Sequence, residues 1–192
     1  MRKQLFYFLL LVTSLSMTSC GYNNMVNLQE RVAMQWADVE NVYQRRADLL
    51  PNLVKVAKAY AGHEKETLEG VIKARAEATK VTIKADQLTE ENMARFEQAQ
   101  QGLSGALSRL MVVSEQYPDL KANENFKNLA VQIEGSENRI AVERRKFNEV
   151  VQQYNTTIRN FPTNIYAGWF GFESKPYFKS KQGTENAPDL DL

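Results

Sequence analysis

The sequence has 192 residues, of which 43% are hydrophobic and 24% are charged, an ordinary balance for one globular domain with a buried core. Nine glycines and five prolines are few for an all-β fold, which needs many tight turns. The 24 Lys and Arg side chains nearly balance the 23 Asp and Glu side chains, which disfavours a nucleic-acid partner. One cysteine and one histidine exclude a disulfide framework and the usual four-ligand zinc site, so we expect no metal.

The first residues have the pattern of a secretory signal. Arg2 and Lys3 give a positive start, an apolar run from Leu5 to Leu15 follows, and small residues lead to Cys20. This run is shorter than the roughly 20 apolar residues that a membrane-spanning helix needs. We therefore predict a signal peptide at residues 1–19.

Met17-Thr18-Ser19-Cys20 resembles the lipobox of bacterial lipoproteins, whose cysteine becomes the lipid-bearing N-terminus. The cysteine is the only one in the sequence, so we predict a covalent lipid on Cys20, palmitate among its acyl chains, and no other cofactor. The alternative is an ordinary signal peptide with an incidental cysteine. Gly21 differs from the aspartate that resembles an inner-membrane retention signal, which favours a periplasm-facing position at the outer membrane over the inner membrane.

Apolar residues at seven-residue spacing predict helices through most of the chain. The first two helices are expected at about 24–46 and 49–84. Asp48 would cap the second, and Pro51 would stand in its first turn. The alternative is one helix that kinks at Pro51.

Two further helices are expected after these. Thr89 is placed to cap the third helix, which Pro118 ends. Asn123 or Asp119 can cap the fourth, and its apolar residues recur every seven positions: Phe126, Ile133, Ile140, Phe147, Tyr154 and Phe161. The pattern predicts an all-α fold, an antiparallel bundle of about four long helices over residues 20–162. Asn52 and Asn123 would then lie at the same end.

Charged residues interrupt the apolar stripes. Glu64 and Arg75 interrupt the second helix, and Glu137 and Arg144 the fourth. A buried charge is costly unless it is paired, so we predict an internal polar cluster in which these four residues are mutual partners and His63 lies at the edge. The alternatives are residues that fix helix register or reach solvent at the edge of a stripe, and residues that bind a ligand.

Aromatic residues crowd the segment 163–179. The segment either folds back as an apolar cap on the bundle or contacts a partner or the lipid interface. The candidate contact residues are Trp169, Phe170, Phe172, Tyr177 and Phe178. The polar composition of residues 180–192 predicts a disordered tail.

Several uncommon blocks occur in the order in which the LemA family has them. The blocks are Arg45 to Val54 (RRADLLPNLV), Tyr60 to Glu64 (YAGHE), Tyr117 to Asn123 (YPDLKAN), Glu137 to Arg144 (ENRIAVER), Tyr154-Asn155, Phe161-Pro162, Gly171-Phe172 and Tyr177-Phe178. From about residue 22 to residue 178 the chain thus resembles that family. The resemblance implies a membrane-associated helical bundle in an envelope setting, with no established activity and no catalytic residues to carry over. Family members typically begin with a transmembrane helix, and here a lipobox stands in its place.

The sequence contains no recognisable nucleophile–base pair, metal set or phosphate loop, so we expect no enzyme. We expect a non-enzymatic, membrane-anchored scaffold or adaptor of the bacterial cell envelope that contacts other envelope proteins. The alternative is a protein that binds or senses a small ligand, either a cell-wall fragment or a lipid. A cleft lined by Glu64, Glu137 and His63 would favour the ligand, and a fully paired interior would favour the scaffold.

Overall fold

A computed structural model of the chain describes the backbone of residues 2–179 and the side chains of residues 21–179. The predicted lipidation of Cys20 and the predicted tail at 180–192 lie outside the residues whose side chains it describes. Within the described part the fold is all-α, as the sequence predicts, and its long helices pack antiparallel.

The described part of the chain has six α-helices. They are α1 (Arg2–Tyr60), α2 (Lys65–Lys80), α3 (Glu90–Glu115), α4 (Pro118–Ala122), α5 (Glu124–Arg159) and α6 (Thr163–Ala167), with 3₁₀ turns at Ala85–Gln87 and Gly168–Phe170. The two longest, α1 and α5, pack against each other. None of the helices combines, within the described residues, the length and apolar character needed to cross a bilayer.

Helix α1 continues through Pro51 to Tyr60, so the predicted break between the first two helices is wrong. The proline is exposed, while Leu50 and Leu53 on either side of it are buried. Packing of this unbroken apolar face offsets the roughly 3 kcal/mol that a proline costs inside a helix. Asp48 is not a cap; its carboxylate accepts a hydrogen bond from the Gln44 amide within the helix.

The predicted caps of the third and fourth long helices are present, whereas the second helix ends at Lys80 and not near residue 84. The Thr89 hydroxyl accepts a hydrogen bond from the Asn92 backbone N–H at the start of α3, and the Asn123 side chain accepts one from Phe126 N–H at the start of α5. Pro118 begins the short helix α4, and two residues separate it from Glu115, where α3 ends. Asn123 also donates to the Tyr60 hydroxyl, so the α1–α2 turn and the α3–α5 connection lie at one end of the bundle.

Two hydrophobic cores follow one another along the bundle. The aromatic core contains Trp36, Tyr43, Phe96, Phe147, Tyr154, Tyr166, Phe172 and Phe178 among smaller apolar residues. The aliphatic core is built mainly from leucine, valine and alanine, including Leu50, Leu53, Ala57, Leu68, Ala78, Leu103, Leu107 and Leu110. The helices α1, α3 and α5 run through both cores.

Beside the three shared helices, each core is enclosed on its fourth side by a different element. Helix α2 closes the aliphatic core, and it ends at Lys80. The loop at residues 81–89 and the irregular segment at residues 172–179, here called the C-terminal strap, close the aromatic core. The Trp36 indole N–H donates to the Ile83 carbonyl at 2.7 Å, and the Phe178 ring stacks on Trp36 with centroids 6.0 Å apart.

Candidate functional site

A polar layer separates the two cores. Arg46 of α1 is 1% exposed and lies at its centre. Its guanidinium donates to the Gln100 side-chain oxygen at 2.6 Å, to the Ser104 hydroxyl at 3.1 Å and to the Glu137 carboxylate. The layer therefore joins α1, α3 and α5 through one buried cation, and the guanidinium carbon lies 5.3 Å from the Tyr43 ring centroid.

The sequence carries a signal for this layer that the cluster prediction missed. Arg46 follows Val39 at the seven-residue spacing of the α1 stripe, and Gln100 stands midway between Met93 and Leu107 of α3. Both polar residues thus occupy positions that face the core. A buried polar residue at such a position fixes the register of neighbouring helices.

The predicted cluster of mutual partners is wrong in its pairing. Glu137 pairs with Arg46, and Arg144 pairs with Glu97 at 2.7 Å. The other predicted residues lie in the aliphatic half or at its end: Glu64 accepts from the Tyr117 hydroxyl, Arg75 donates to the Ala47 carbonyl, and His63 is exposed. The four residues do not meet because Glu64 bonds to Tyr117 and Arg75 bonds to the α1 backbone, whereas Glu137 and Arg144 pair with other residues of α1 and α3.

A groove of about 1060 Å³ opens beside the polar layer, between α3 and α5. Tyr43 and Arg46 of α1 form its floor, and the Glu97–Arg144 pair crosses it. Its rim carries polar side chains from both walls, among them Gln101, Arg145, Glu149 and Gln152. Burial raises the pKa of Glu97 although the Arg144 guanidinium lowers it, so this carboxylate lies in a partly dehydrated place.

Two asparagines of α5 hold the C-terminal strap by its backbone. Asn155 donates to the Lys175 carbonyl and accepts from the Lys175 N–H, both at 2.8 Å. Asn148, one seven-residue step away, makes the same two bonds with Phe178 at 2.9 and 2.8 Å. Each amide thus satisfies the donor and the acceptor of one peptide residue, as the opposite residue of an antiparallel β-strand would do at a hydrogen-bonded pair.

The strap leads toward the polar layer. Arg144 donates to the Lys179 carbonyl at 2.8 Å and lies over the Phe178 ring, with 4.5 Å from guanidinium carbon to ring centroid. Tyr177, Phe178 and Lys179 line the groove. The described strap therefore occupies one end of the groove and leaves the part next to Arg46 open.

The five predicted aromatic contact residues differ in their exposure to solvent. Phe172 and Phe178 are buried in the aromatic core, as expected for a cap. Trp169, Phe170 and Tyr177 are exposed. Asn52 and Asn123, expected at one end, both line a second groove of about 600 Å³ between α1 and α5.

No group of three or more His, Cys, Asp or Glu side chains within residues 21–179 is placed to hold a metal ion.

Comparison with known proteins agrees with the resemblance in the sequence. Residues 35–192 match the model of the LemA family, so Cys20 lies outside the matched part. Among curated relatives, the chain is similar to Magnetosome protein MamQ 2 and Magnetosome protein MamQ 1 of Paramagnetospirillum magneticum, each 28% identical over 177 aligned positions. Magnetosome protein MamQ of Magnetospirillum gryphiswaldense is 27% identical. Each alignment covers 83% of this chain and 65% of the relative, so the chain spans slightly less than two thirds of their length. On the evidence of the family model, this chain belongs to the LemA family.

Proposed function

We propose that the protein is a non-enzymatic adaptor of the bacterial cell envelope, which binds an extended peptide segment of another envelope protein in the α3–α5 groove. The observation that carries the proposal is the pair of asparagines that hold the strap, because the face of α5 already binds extended backbone there. Backbone recognition by side-chain amides does not depend on the sequence of the bound peptide. Such a face suits an adaptor with several clients.

The size and lining of the open groove support a peptide. Its volume of about 1060 Å³ is at the upper limit of small-molecule pockets, which span roughly 300–1,000 Å³. Gln101 and Gln152 place amides on opposite walls, and Arg145 and Glu149 add one charge of each sign on α5. These groups can pair with backbone and with charged side chains of either sign.

We further propose that lipid on Cys20 holds the adaptor at the outer membrane, facing the periplasm. The support is the signal pattern that ends at the only cysteine of the chain. Cys20→Ser should move the full chain out of the membrane fraction and abolish incorporation of a clickable palmitate analogue. Membrane attachment and labelling that persist in the variant would refute the lipid anchor.

The adaptor proposal is tested by reversing one charge in the groove. Arg145 and Arg139 are both exposed residues of α5, but only Arg145 lines the groove. In-cell crosslinking and mass spectrometry should recover the same envelope proteins with the wild type and with Arg139→Glu, and lose them with Arg145→Glu. Equal recovery from all three chains, or no specific protein from any, would contradict the proposal.

A second candidate is the binding of a small carboxylate-bearing ligand, such as a cell-wall fragment. One observation favours it: three arginines line the groove, and the buried Nε of Arg46 has no hydrogen-bond partner among the described residues. Isothermal titration of the purified full chain with a muramyl tripeptide should then give saturable binding. Arg145→Glu should weaken it, and Arg139→Glu should not. Absence of heat at millimolar ligand would leave the peptide adaptor as the account of the groove.

A further inference from the structure

Large apolar side chains are exposed at one end of the bundle. Trp169 is 82% exposed, Phe170 is 58% exposed and Ile165 is 54% exposed. They belong to α6 and the 3₁₀ turn that follows it, and Tyr22 of α1 packs edge-on against Phe170 with ring centroids 5.0 Å apart. We call Tyr22, Ile165, Trp169 and Phe170 the aromatic patch. A patch of this kind on a folded chain marks a surface that meets another apolar phase.

The patch is fastened to α1 beside the predicted anchor point. The Tyr166 hydroxyl occupies the place where a Cβ of residue 21 would stand, so a larger residue there would displace the Tyr166 side chain. Tyr22 also contacts the buried Phe172, with centroids 5.7 Å apart. Residues 21 and 22 thus tie the patch to α1 one and two positions after Cys20.

We propose that the aromatic patch rests in the interfacial layer of the bilayer that holds the lipid of Cys20. The inference rests on the proposed anchor and deepens it, because it assigns the surface of the bundle that meets the membrane. One helical turn advances about 5.4 Å, so residues 21 and 22 lie within a few ångströms of the acylated cysteine. The headgroup layer on each side of the hydrocarbon core is roughly 5–7 Å thick.

The composition of the patch fits that layer. Tryptophan and tyrosine are favoured at membrane interfaces because their rings are apolar while the indole N–H and the phenol O–H stay hydrated. Ile165 and Phe170 add apolar area without a charge. The opposite end of the bundle, where Asn52 and Asn123 are among several amide side chains that line a groove, would point away from the membrane.

The two tryptophans of the chain give a reporter and an internal control. Trp169 lies in the patch, and Trp36 is buried in the aromatic core. The full, lipid-bearing chain is inserted into phosphatidylcholine vesicles whose acyl chains carry bromine near the headgroup. The difference in emission between the wild type and Trp169→Phe gives the contribution of Trp169.

We expect brominated lipid to reduce the Trp169 contribution roughly twofold or more relative to unbrominated vesicles, as for an interfacial indole. The Trp36 emission of Trp169→Phe should stay unchanged. Quenching of Trp169 by aqueous iodide alone would place the patch in water and overturn the inference. Resistance to both quenchers would mean that a second copy or another protein covers the patch, which also overturns it.

Vesicle flotation separates failure of this inference from failure of the anchor. A chain that floats with the vesicles while Trp169 is unaffected by brominated lipid keeps its anchor and refutes the patch contact. A chain that does not float refutes the anchor, and with it the position assigned to the patch.

Discussion

The aromatic and aliphatic halves of the bundle share three helices and differ in the fourth wall. The aliphatic half is closed by the regular helix α2, and its alanines at positions such as 57 and 78 allow helices to pack closely. The aromatic half is closed by a loop and by the C-terminal strap, which are irregular. In this bundle, large rings pack against the irregular wall, and mainly leucine, valine and alanine pack against the regular helix α2.

The halves also differ in what they expose. The open groove, the strap and the aromatic patch lie in the aromatic half or at its border with the polar layer. The aliphatic half carries the turns and a smaller groove. This distribution agrees with the proposal that partners and membrane contact the aromatic half.

The largest expected effect comes from removing one ring from the aromatic core. Phe147 is fully buried between Trp36 and Phe178, and Phe147→Ala should lower the free energy of unfolding by about 3–5 kcal/mol. Leu110→Ala, its matched variant in the aliphatic core, should cost about 2–5 kcal/mol. Urea unfolding measures both losses.

Hydrogen exchange then tests whether the two cores are separate. Phe147→Ala should reduce protection mainly in the aromatic half, and Leu110→Ala mainly in the aliphatic half, because the polar layer lies between them. Equal loss of protection along α5 in both variants would show one core rather than two.

A smaller effect is expected from opening the polar layer. Glu137→Ala leaves the Arg46 guanidinium buried without its carboxylate and should cost about 2–3 kcal/mol. This loss is at or below the one usually measured when a buried ion pair is broken, because the Glu137 side chain is itself 39% exposed. Adding Arg46→Met should recover much of the loss, since a thioether needs no charged partner. No recovery in the double variant, measured by urea unfolding, would mean that Glu137 acts through other contacts.

Weaker attachment of the C-terminal strap should lower the free energy of unfolding by less than either change above. Asn155→Ala removes two hydrogen bonds to the Lys175 backbone and should lower stability by about 1–2 kcal/mol. Asn138→Ala, at an exposed position on the same helix, should change stability by less than about 0.5 kcal/mol. Limited proteolysis should cut the strap faster in Asn155→Ala alone. Similar cleavage in both variants would show that the asparagine does not hold the strap.

The smallest effect is a pH dependence at the groove. Burial raises the pKa of Glu97 above its ordinary value of 4.5, so the folded state binds this proton more tightly than the unfolded chain. Its contribution to stability is therefore present below pH 4.5 and is lost as the pH rises through the raised pKa. In urea unfolding between pH 4 and 7, the free energy of unfolding should decline less with rising pH for Glu97→Gln than for the wild type. Parallel curves would show that Glu97 does not contribute to the dependence.

Helices that bury a regular stripe could be predicted from the sequence. The caps at Thr89 and Asn123 have local signatures, and the stripe from Phe126 to Tyr154 follows the buried face of α5. Phe161, the last member of the predicted stripe, lies beyond the end of α5 and is exposed. The break near Pro51 was wrong because the local preference of proline was overruled by the packing of Leu50 and Leu53 on both sides of it. Arg46, which continues the α1 stripe inside the predicted first helix, was missed because the cluster prediction considered only the second and fourth helices.

The strap could not be predicted in the same way. Its hydrogen bonds join the backbone of Lys175 and Phe178 to asparagine side chains of α5, and such pairing leaves no periodic pattern in the strap itself. The sequence indicated only that the aromatic residues of this segment contact the bundle, a partner or the lipid interface. Which rings are covered depends on where α6 ends and the chain turns back, and Gly171, with φ of 76°, makes that turn.

Position-specific photo-crosslinking in living cells tests the division of roles between the halves most directly. A photoreactive residue is placed at Ala141, exposed in the groove, or at Val131, exposed on the same helix in the aliphatic half and outside both grooves. We predict specific envelope proteins crosslinked from position 141 and none from position 131. The same proteins captured from both positions, or captured from position 131 alone, would contradict the assignment of the groove as the binding surface.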